Sequence, residues 1–424
     1  MLYALHWTIV AIYIVLPAVV LATAIHRQRR RGQKGAVSTQ IVTFVAAVAV
    51  GLGLNLVYAA GTHGRPTVPQ VLLASYFAAG MLLILRGYDT ALQLGLRRLM
   101  RLRQAGEIGW SRGVRVLVFA TLRAVLLFAV GLPYVMACLA TYRPKVMPGD
   151  DPRELLGFQF DRVEFRASDG TRLIGWWIPA QAAASRAERN APTWGTRSVV
   201  VCHGLAAGKS NELVLARRFV PAGFNVLLFD FRAHGESAGQ LATYGALEKR
   251  DVLGAVKWIR DNHAQQAEKI FGVGASMGGA ALISAAADPS DEGRAISAVA
   301  AYAGYDDLRS LARDTAAHYF AWPLDKLLLN LSLPLASIQS GADLVNYSPA
   351  QDVHDLWPRP FLLIQSENDE IIDYQRGVRL FDAASPPKYR AFYPEATHAE
   401  LLNSDAAARV VVQFFRTAKT LPVI

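Results

Sequence analysis

Long apolar runs alternate with arginine-rich segments in the first third of the chain. Each run is close to the ~20 residues that a helix needs to cross a bilayer, and together they cover residues 2–25, 37–60, 68–85 and 124–142. Four such lengths between arginine clusters disfavour buried helices of a soluble protein. A cleaved signal peptide is also disfavoured, because no basic residue precedes the first run. The pattern predicts about four transmembrane helices within residues 1–142, followed by a linker over residues 143–154.

The basic residues between these runs predict how the membrane domain is oriented. Arginine and lysine are concentrated in segments 26–34 and 86–115, whereas the segment between the second and third runs holds only Arg65. Positive segments stay on the cytoplasmic side. The chain that follows Tyr142 is therefore expected outside the cytoplasm, in the periplasm if the source is bacterial. Leucines and arginines interleave over residues 91–103, which fits either an interfacial helix or a solvated one.

The rest of the chain alternates short apolar strands with helical patterns. Such alternation predicts an α/β domain with a doubly wound, mostly parallel sheet over residues 155–424. A hairpin around a Ser168-Asp169-Gly170 turn should start it. The predicted strands are 161–165, 172–179, 198–202, 224–230, 270–273, 295–302, 360–365 and 389–393, and the clearest helices are 247–262 and 280–287.

Residues 305–354 have no place in this sheet. The segments 306–313 and 319–338 look helical, and the second presents a broad apolar face rich in leucine. This insert is interpreted as a helical lid that covers apolar parts of a substrate and excludes water. A rigid structural cap is the alternative that the sequence leaves open.

Charge is distributed unevenly and excludes a nucleic-acid partner. The chain of 424 residues has a formal net charge of +10, but residues 1–149 hold 16 of the 44 basic and 2 of the 34 acidic side chains. The predicted globular part is therefore slightly acidic, and the basic residues flank the apolar runs. Cys138 and Cys202 lie in an apolar helix and on a predicted strand, so no disulfide is expected between them.

The segment around Ser276 carries the strongest chemical signal. An apolar strand leads into Gly274-Ala275-Ser276-Met277-Gly278, and an alanine-rich helix follows. A serine raised on a tight strand-to-helix turn needs neighbours without side chains two positions before and after it. The helix that begins there offers N–H groups to a developing oxyanion. Ser276 is thus the predicted nucleophile.

A serine nucleophile requires a base and a carboxylate to orient that base. Asp369 follows the predicted strand 360–365, and His398 follows the next strand. Carboxyl ends of parallel strands meet at one edge of a sheet. Asp369 is therefore the predicted acid and His398 the predicted base. Three further carboxylates near Asp369 compete for the acidic role: Glu367, Glu370 and Asp373.

An oxyanion hole needs two backbone N–H donors. Met277 should supply one, and Leu205, after His203-Gly204, should supply the other. His203 is interpreted as a structural histidine that holds this loop, with a role as base the alternative.

No cofactor and no metal are predicted. The segment His203 to Ser210 approaches a phosphate-binding loop, but His203 stands where the first glycine is required. No His, Cys or carboxylate cluster has metal-ligand spacing.

These motifs together resemble those of the α/β-hydrolase superfamily, in the branch of serine-aminopeptidase-like and acyl-peptide-hydrolase-like domains. The resemblance spans residues 155–415 and leaves the first 149 residues outside it. It implies that Asp230 to Ser237 form a loop near the site without a catalytic role. The usual arginine–glycine before His234 is Arg232-Ala233 here, which implies altered loop geometry only.

The sequence therefore predicts a membrane-anchored serine hydrolase, carboxylesterase-like, lipase-like or peptidase-like, that cleaves an ester, thioester or amide bond. The expected substrate is a small-molecule or lipid ester that the enzyme meets while it is anchored in the bilayer. Two alternatives stay open: acyl transfer to an acceptor other than water, and a membrane scaffold in which this domain only binds. Oligomeric state is not predicted.

Overall fold

A computed structural model describes residues 118, 121, 132–142, 145, 147, 149–181, 194–319 and 323–417. Eight strands in these residues form one sheet. They are β1 Asp161–Arg166, β2 Arg172–Ile178, β3 Arg197–Cys202, β4 Phe224–Phe229, β5 Lys269–Ala275, β6 Ile296–Tyr302, β7 Phe361–Gln365 and β8 Lys388–Phe392. Each predicted strand is confirmed within a few residues.

Helices of the described residues connect the strands or flank them. They are α1 Leu132–Thr141, α2 Pro152–Leu156, α3 Leu213–Phe219, α4 Lys249–Asn262, α5 Met277–Ala286, α6 Asp291–Ala295, α7 Leu308–Tyr319, α8 Leu324–Ser340, α9 Pro349–Asp352, α10 Tyr374–Ala383, α11 His398–Leu402 and α12 Asp405–Thr417. A short 3-10 helix, Lys209–Glu212, precedes α3.

The strand order is β1-β2-β4-β3-β5-β6-β7-β8. The hairpin β1–β2 and the pair β2–β4 are antiparallel, and the strands from β4 through β3 to β8 pair in parallel. All six residues of β4 are buried, as expected for a parallel strand covered on both faces. The prediction of a mostly parallel α/β sheet is confirmed.

Helices cover both faces of the sheet, as the alternation of side chains along β5 illustrates. Ile270 joins the core cluster that also contains residues of α4 and α5. The next side chain, Phe271, points to the other face and stacks at 4.8 Å on Phe415 of α12. Phe219 of α3 stacks on the same Phe415 at 5.7 Å. The sheet is therefore doubly wound.

The chain divides into two compact units. One comprises residues 141–321 and 342–424 and holds the sheet, and the other comprises residues 1–140 and 322–341. The predicted insert 305–354 is thus split between the units: α7 belongs to the sheet unit and α8 to the other. The helices of the insert begin and end at other residues than predicted, since α7 runs to Tyr319 and α8 begins at Leu324.

The predicted transmembrane runs lie outside the described residues, except for the stretch 132–142 at the end of the fourth run. In the part of the chain that the structure describes, none of the helices is both long enough and apolar enough to cross a bilayer. Cys138 and Cys202 are both free thiols.

Candidate active site

Ser276 stands on a sharp turn between β5 and α5. Its φ of 49° and ψ of −113° lie in a region that non-glycine residues rarely adopt, and such strain is concentrated at functional positions. Its N–H donates to the carbonyl of Tyr302 at 2.8 Å, which fixes the turn against the end of β6. The side chain is half-buried and stays accessible.

The two glycines of this turn are needed because backbone approaches them closely. A Cβ at Gly278 would lie 2.3 Å from the carbonyl oxygen of Cys202, and a Cβ at Gly274 would lie 2.5 Å from the backbone of Gly278. These distances are far inside van der Waals contact. The steric reason for the G-x-S-x-G spacing therefore applies at both positions.

Asp369 and His398 come together at the carboxyl ends of β7 and β8. Oδ2 of Asp369 lies 2.7 Å from Nδ1 of His398, and the two side chains are only 2% and 10% exposed. Oδ1 of Asp369 accepts the N–H groups of Ile371 and Ile372 at 2.9 and 2.8 Å. The carboxylate is thus fixed by its own loop and orients the imidazole ring.

The three competing carboxylates have other surroundings. Glu370 accepts the backbone N–H of His398 at 2.9 Å, so it positions the main chain of the histidine. Asp373 caps α10 by accepting the N–H of Gln375 at 2.8 Å, and Glu367 is exposed. Asp369 is the carboxylate that the structure brings to the ring of His398.

The loop after β3 contains the second predicted oxyanion donor. Nε2 of His203 accepts the N–H of Phe231 at 3.0 Å, so Nδ1 carries the proton and donates to the carbonyl of Gly204 at 2.7 Å. Burial and the neighbouring His234 lower the pKa of His203 to about 3, so the ring is neutral. His203 holds the loop, as the structural interpretation predicted.

This hydrogen bond also fixes the direction of the predicted donor. In a planar trans peptide the carbonyl of Gly204 and the N–H of Leu205 point in opposite directions. The N–H of Leu205 is therefore turned away from the ring of His203. A Cβ at Gly204 would lie 3.8 Å from Cβ of Ser276, so this peptide is close to the nucleophile turn. Met277 is the first residue of α5, where N–H groups have no acceptor within the helix.

A second histidine supports the same loop from the segment after β4. Nδ1 of His234 bonds to the carbonyl of Arg232 at 2.8 Å, and Nε2 accepts the N–H of Ala206 at 3.3 Å. The rings of His203 and His234 are 4.9 Å apart. The resemblance implied that this segment lies near the site without a catalytic role. Its contacts hold the loop that begins at His203 in place.

Sequence reasoning missed a buried ion-pair network behind the loop. Nζ of Lys209 lies 2.6 Å from Oδ2 of Asp230 and 2.7 Å from Oε2 of Glu236, and the side chains of Lys209 and Asp230 are fully buried. Burial alone would raise the pKa of Asp230, but the charge and hydrogen bonds of Lys209 outweigh it and lower the pKa. Lys209, which lies in the segment that approaches a phosphate-binding loop, is thus paired with two carboxylates inside the fold.

Arg232 joins this region to the first hairpin. Its guanidinium contacts Asp251 at 2.6 Å and Asp169, of the predicted turn, at 2.8 Å. Ala233, which stands where the resembled family has glycine, holds a φ of 61°, a left-handed conformation that favours glycine. Alanine at this position is therefore held in a strained backbone conformation.

Taken together, the site offers an oriented imidazole, a strained serine and candidate N–H donors at one edge of the sheet. An imidazole held at Nδ1 by a buried carboxylate presents Nε2 as a proton acceptor, which is what acyl transfer through a hydroxyl requires. Among the described residues, no three His, Cys or carboxylate side chains lie close enough to hold a metal ion.

Comparison with known proteins finds a matching family and several relatives. The family described as serine aminopeptidase, S33, matches residues 196–354, which include Leu205 and Ser276 and end before Asp369. The uncharacterized protein YqkD of Bacillus subtilis is 31% identical over 219 residues, covering 49% of this chain and 67% of YqkD. The uncharacterized protein YfhR of Escherichia coli K12 is 27% identical over 273 residues, covering 64% of this chain and 84% of YfhR.

Among solved structures, the esterase Pf2001 of Pyrococcus furiosus aligns with a TM-score of 0.51 at 20% identity. The alignment covers 65% of this chain and 98% of that chain. At this level of identity the likeness establishes a common fold.

Proposed function

The chain belongs to the α/β-hydrolase superfamily, and on that premise we propose that it is a serine hydrolase, anchored in a membrane, that cleaves an ester, thioester or amide bond through an acyl-enzyme. Ser276 is the nucleophile, His398 the base and Asp369 the group that orients the base. The N–H groups of Leu205 and Met277 form the oxyanion hole.

The reaction follows from these roles. The hydroxyl of Ser276 attacks the carbonyl carbon while Nε2 of His398 takes its proton, and the oxyanion that forms is held by the two N–H donors. The tetrahedral intermediate collapses as His398 returns the proton to the leaving group, which leaves an ester on Ser276. Water then attacks this ester while His398 takes the water proton, and His398 returns that proton to Oγ of Ser276 as the acid product leaves.

The contact between Asp369 and His398 is the single observation that carries the proposal. Its 2.7 Å distance joins two nearly buried side chains whose positions come from separate loops, 29 residues apart. A buried carboxylate costs free energy unless it is hydrogen-bonded, and here both oxygens are satisfied. Such an arrangement stabilises the imidazolium that forms during proton transfer.

Membrane anchoring is proposed from the apolar runs within residues 1–142, with the sheet unit outside the cytoplasm. The arginine-rich segments between the runs support this orientation. An enzyme held beside a bilayer meets apolar and acyl-lipid substrates at high local concentration, so esters of this class are the proposed substrates. Labelling intact cells with a membrane-impermeant fluorophosphonate tests the orientation: label on intact cells supports it, and label only after permeabilisation contradicts it.

Steady-state hydrolysis of 4-nitrophenyl esters of increasing chain length tests the activity. Ser276→Ala should lower kcat/KM by roughly 10³-fold or more, whereas Ser168→Ala, at an exposed serine of the first hairpin, should leave it unchanged. Equal rates in the two variants would refute the proposal. Product diverted to added alcohols or amines would indicate acyl transfer, and folded protein without turnover would indicate a binding module.

A further inference from the structure

A cavity of about 620 Å³ lies in the sheet unit between α2, the start of α3 and the residue after α11. Its volume is in the range of sites for small molecules. The segments that border it are neighbours in sequence of the predicted catalytic groups. Ser210 and Asn211 are on the loop that begins at His203, and Asn403 directly follows the helix that begins at His398.

Part of the cavity lining is apolar. It includes Leu155, Phe158 and Leu213. Leu155 is 55% exposed, although α2 could have turned a polar residue outward at this position. An apolar side chain left open at the mouth of a cavity gains free energy when an apolar group covers it.

Two further residues of the lining present hydrogen-bond donors. Oγ of Ser210 accepts the N–H of Gly149 at 3.0 Å, and Oδ1 of Asn211 accepts the N–H of Gly208 at 2.9 Å. These bonds occupy acceptors and leave the hydroxyl and amide hydrogens able to donate. A ligand that contacts these two residues should therefore carry acceptor oxygens.

Arg217 adds a positive charge to the lining, which includes no carboxylate. The carboxylate of Asp405 is paired with Arg218 and Arg409. Among the described residues Arg217 forms no ion pair within 4 Å, although its charge helps to lower the pKa of Asp405. A guanidinium beside neutral donors recognises an anionic oxygen group, such as a phosphate or a carboxylate.

We propose that this cavity is a substrate subsite for an anionic amphiphile, with the acyl or alkyl chain against Leu155 and Phe158 and the anionic group at Arg217. The inference rests on the proposed hydrolase function and narrows its substrates to esters that carry one apolar chain and one anionic oxygen group. A neutral ester of the same chain length should be a poorer ligand, because its head group leaves the guanidinium unpaired.

Protection of Ser276 from fluorophosphonate labelling tests this subsite. The full-length protein is kept in one neutral maltoside detergent and phosphate-free buffer, and the labelling rate is measured with hexyl phosphate, inorganic phosphate or hexanol. Hexyl phosphate should slow labelling at concentrations at which the anion alone and the chain alone do not. Arg217→Gln should raise the protecting concentration about tenfold, whereas Arg260→Gln, at an exposed arginine of α4, should not change it.

A second variant fills the cavity and leaves its charge unchanged. Val214→Trp, at a half-buried position of the lining, should abolish protection by hexyl phosphate, while its far-UV circular dichroism stays that of the folded protein. Three results would overturn the inference: no protection of the wild type, equal protection by hexanol, or equal protection of Arg217→Gln. A wild type that is not labelled even without ligand would instead refute the proposed hydrolase function.

Discussion

The turn that carries Ser276 and the loop that begins at His203 contact each other at the carboxyl edge of the sheet, yet different forces hold them. The serine turn is shaped by close backbone contacts: a Cβ at Gly278 would lie 2.5 Å from the carbonyl oxygen of His203. The His203 loop is held by buried polar groups, namely a neutral histidine and the Lys209–Asp230 ion pair.

This difference decides how each part should respond to mutation and to pH. Steric exclusion does not depend on protonation. The serine turn should therefore keep its stability when the pH changes and lose stability when a side chain is added. A buried polar network is strong only while each member keeps its partner. The His203 loop should therefore lose stability when one of its charges is removed. Four variants test this contrast, each beside a matched control.

Lys209→Met should cause the largest loss of stability. It leaves Asp230 buried without its cation, and breaking one side of a buried pair costs about 3–5 kcal/mol in the free energy of unfolding. Lys257→Met, at an exposed lysine paired with Asp261, should leave the unfolding midpoint nearly unchanged. Urea unfolding of the two variants measures the difference, and equal midpoints would show that the buried pair does not hold the loop.

Gly278→Ala should destabilise the protein by about 1–3 kcal/mol, because backbone oxygens already fill the space of the new methyl group. Gly204→Ala is the matched control, since its Cβ would meet no atom closer than 3.6 Å. Thermal unfolding should separate the two variants by several degrees. The steric account of the serine turn fails if both unfold together.

His203→Gln should lower kcat by about tenfold with little change in KM, because the Leu205 N–H loses its fixed direction and an oxyanion donor acts mainly in the transition state. His354→Gln removes a histidine whose side chain is 72% exposed and should have no effect. Ester hydrolysis measured at saturating and limiting substrate gives both parameters. A rise in KM at constant kcat would point to substrate binding and would contradict the proposed role.

Glu212→Gln should change how stability varies with pH. Burial raises the pKa of Glu212 from its ordinary 4.5 to about 8, so between these values the folded state keeps a proton that the unfolded state has released. The stability from this group is present below the lower value and is lost as pH rises to the upper one, by at most about 1.4 kcal/mol per pH unit.

The variant should accordingly gain stability relative to the wild type as pH is raised over that interval. Glu268→Gln, at an exposed position, controls for the loss of a carboxylate. Parallel stability curves for Glu212→Gln and the wild type would rule out a buried, protonated Glu212.

Local rules in the sequence predicted much of the sheet unit. Apolar runs of strand length predicted all eight strands, and the glycine spacing around Ser276 follows from contacts within a few residues. Asp369 was predicted because the catalytic acid and base are expected after neighbouring parallel strands. This rule depends on the order of the strands and can be applied without knowing any interatomic distance. The structure adds that Asp369 contacts the ring of His398, whereas Glu370 contacts its main chain.

The buried polar network could not be predicted in the same way. Lys209 and Asp230 are 21 residues apart, and Arg232 and Asp169 are 63 apart; no periodicity links such pairs. The pairing of β3 with β4 brings the first pair together, and the pairing of β2 with β4 brings the second. The split of the insert 305–354 between two compact units likewise depends on which surfaces pack, and leucine content alone did not indicate it.

The most direct test of the account is to locate the acyl group in the intermediate. The wild-type protein is mixed with a 4-nitrophenyl ester, quenched in acid within the first turnover and digested for mass spectrometry, beside His398→Ala. The account predicts an acyl adduct on the peptide that contains Ser276, formed rapidly in the wild type and at least ~10²-fold more slowly in the variant. Turnover with the adduct on another residue, or with none at any time, would contradict the assignment of Ser276 as the nucleophile.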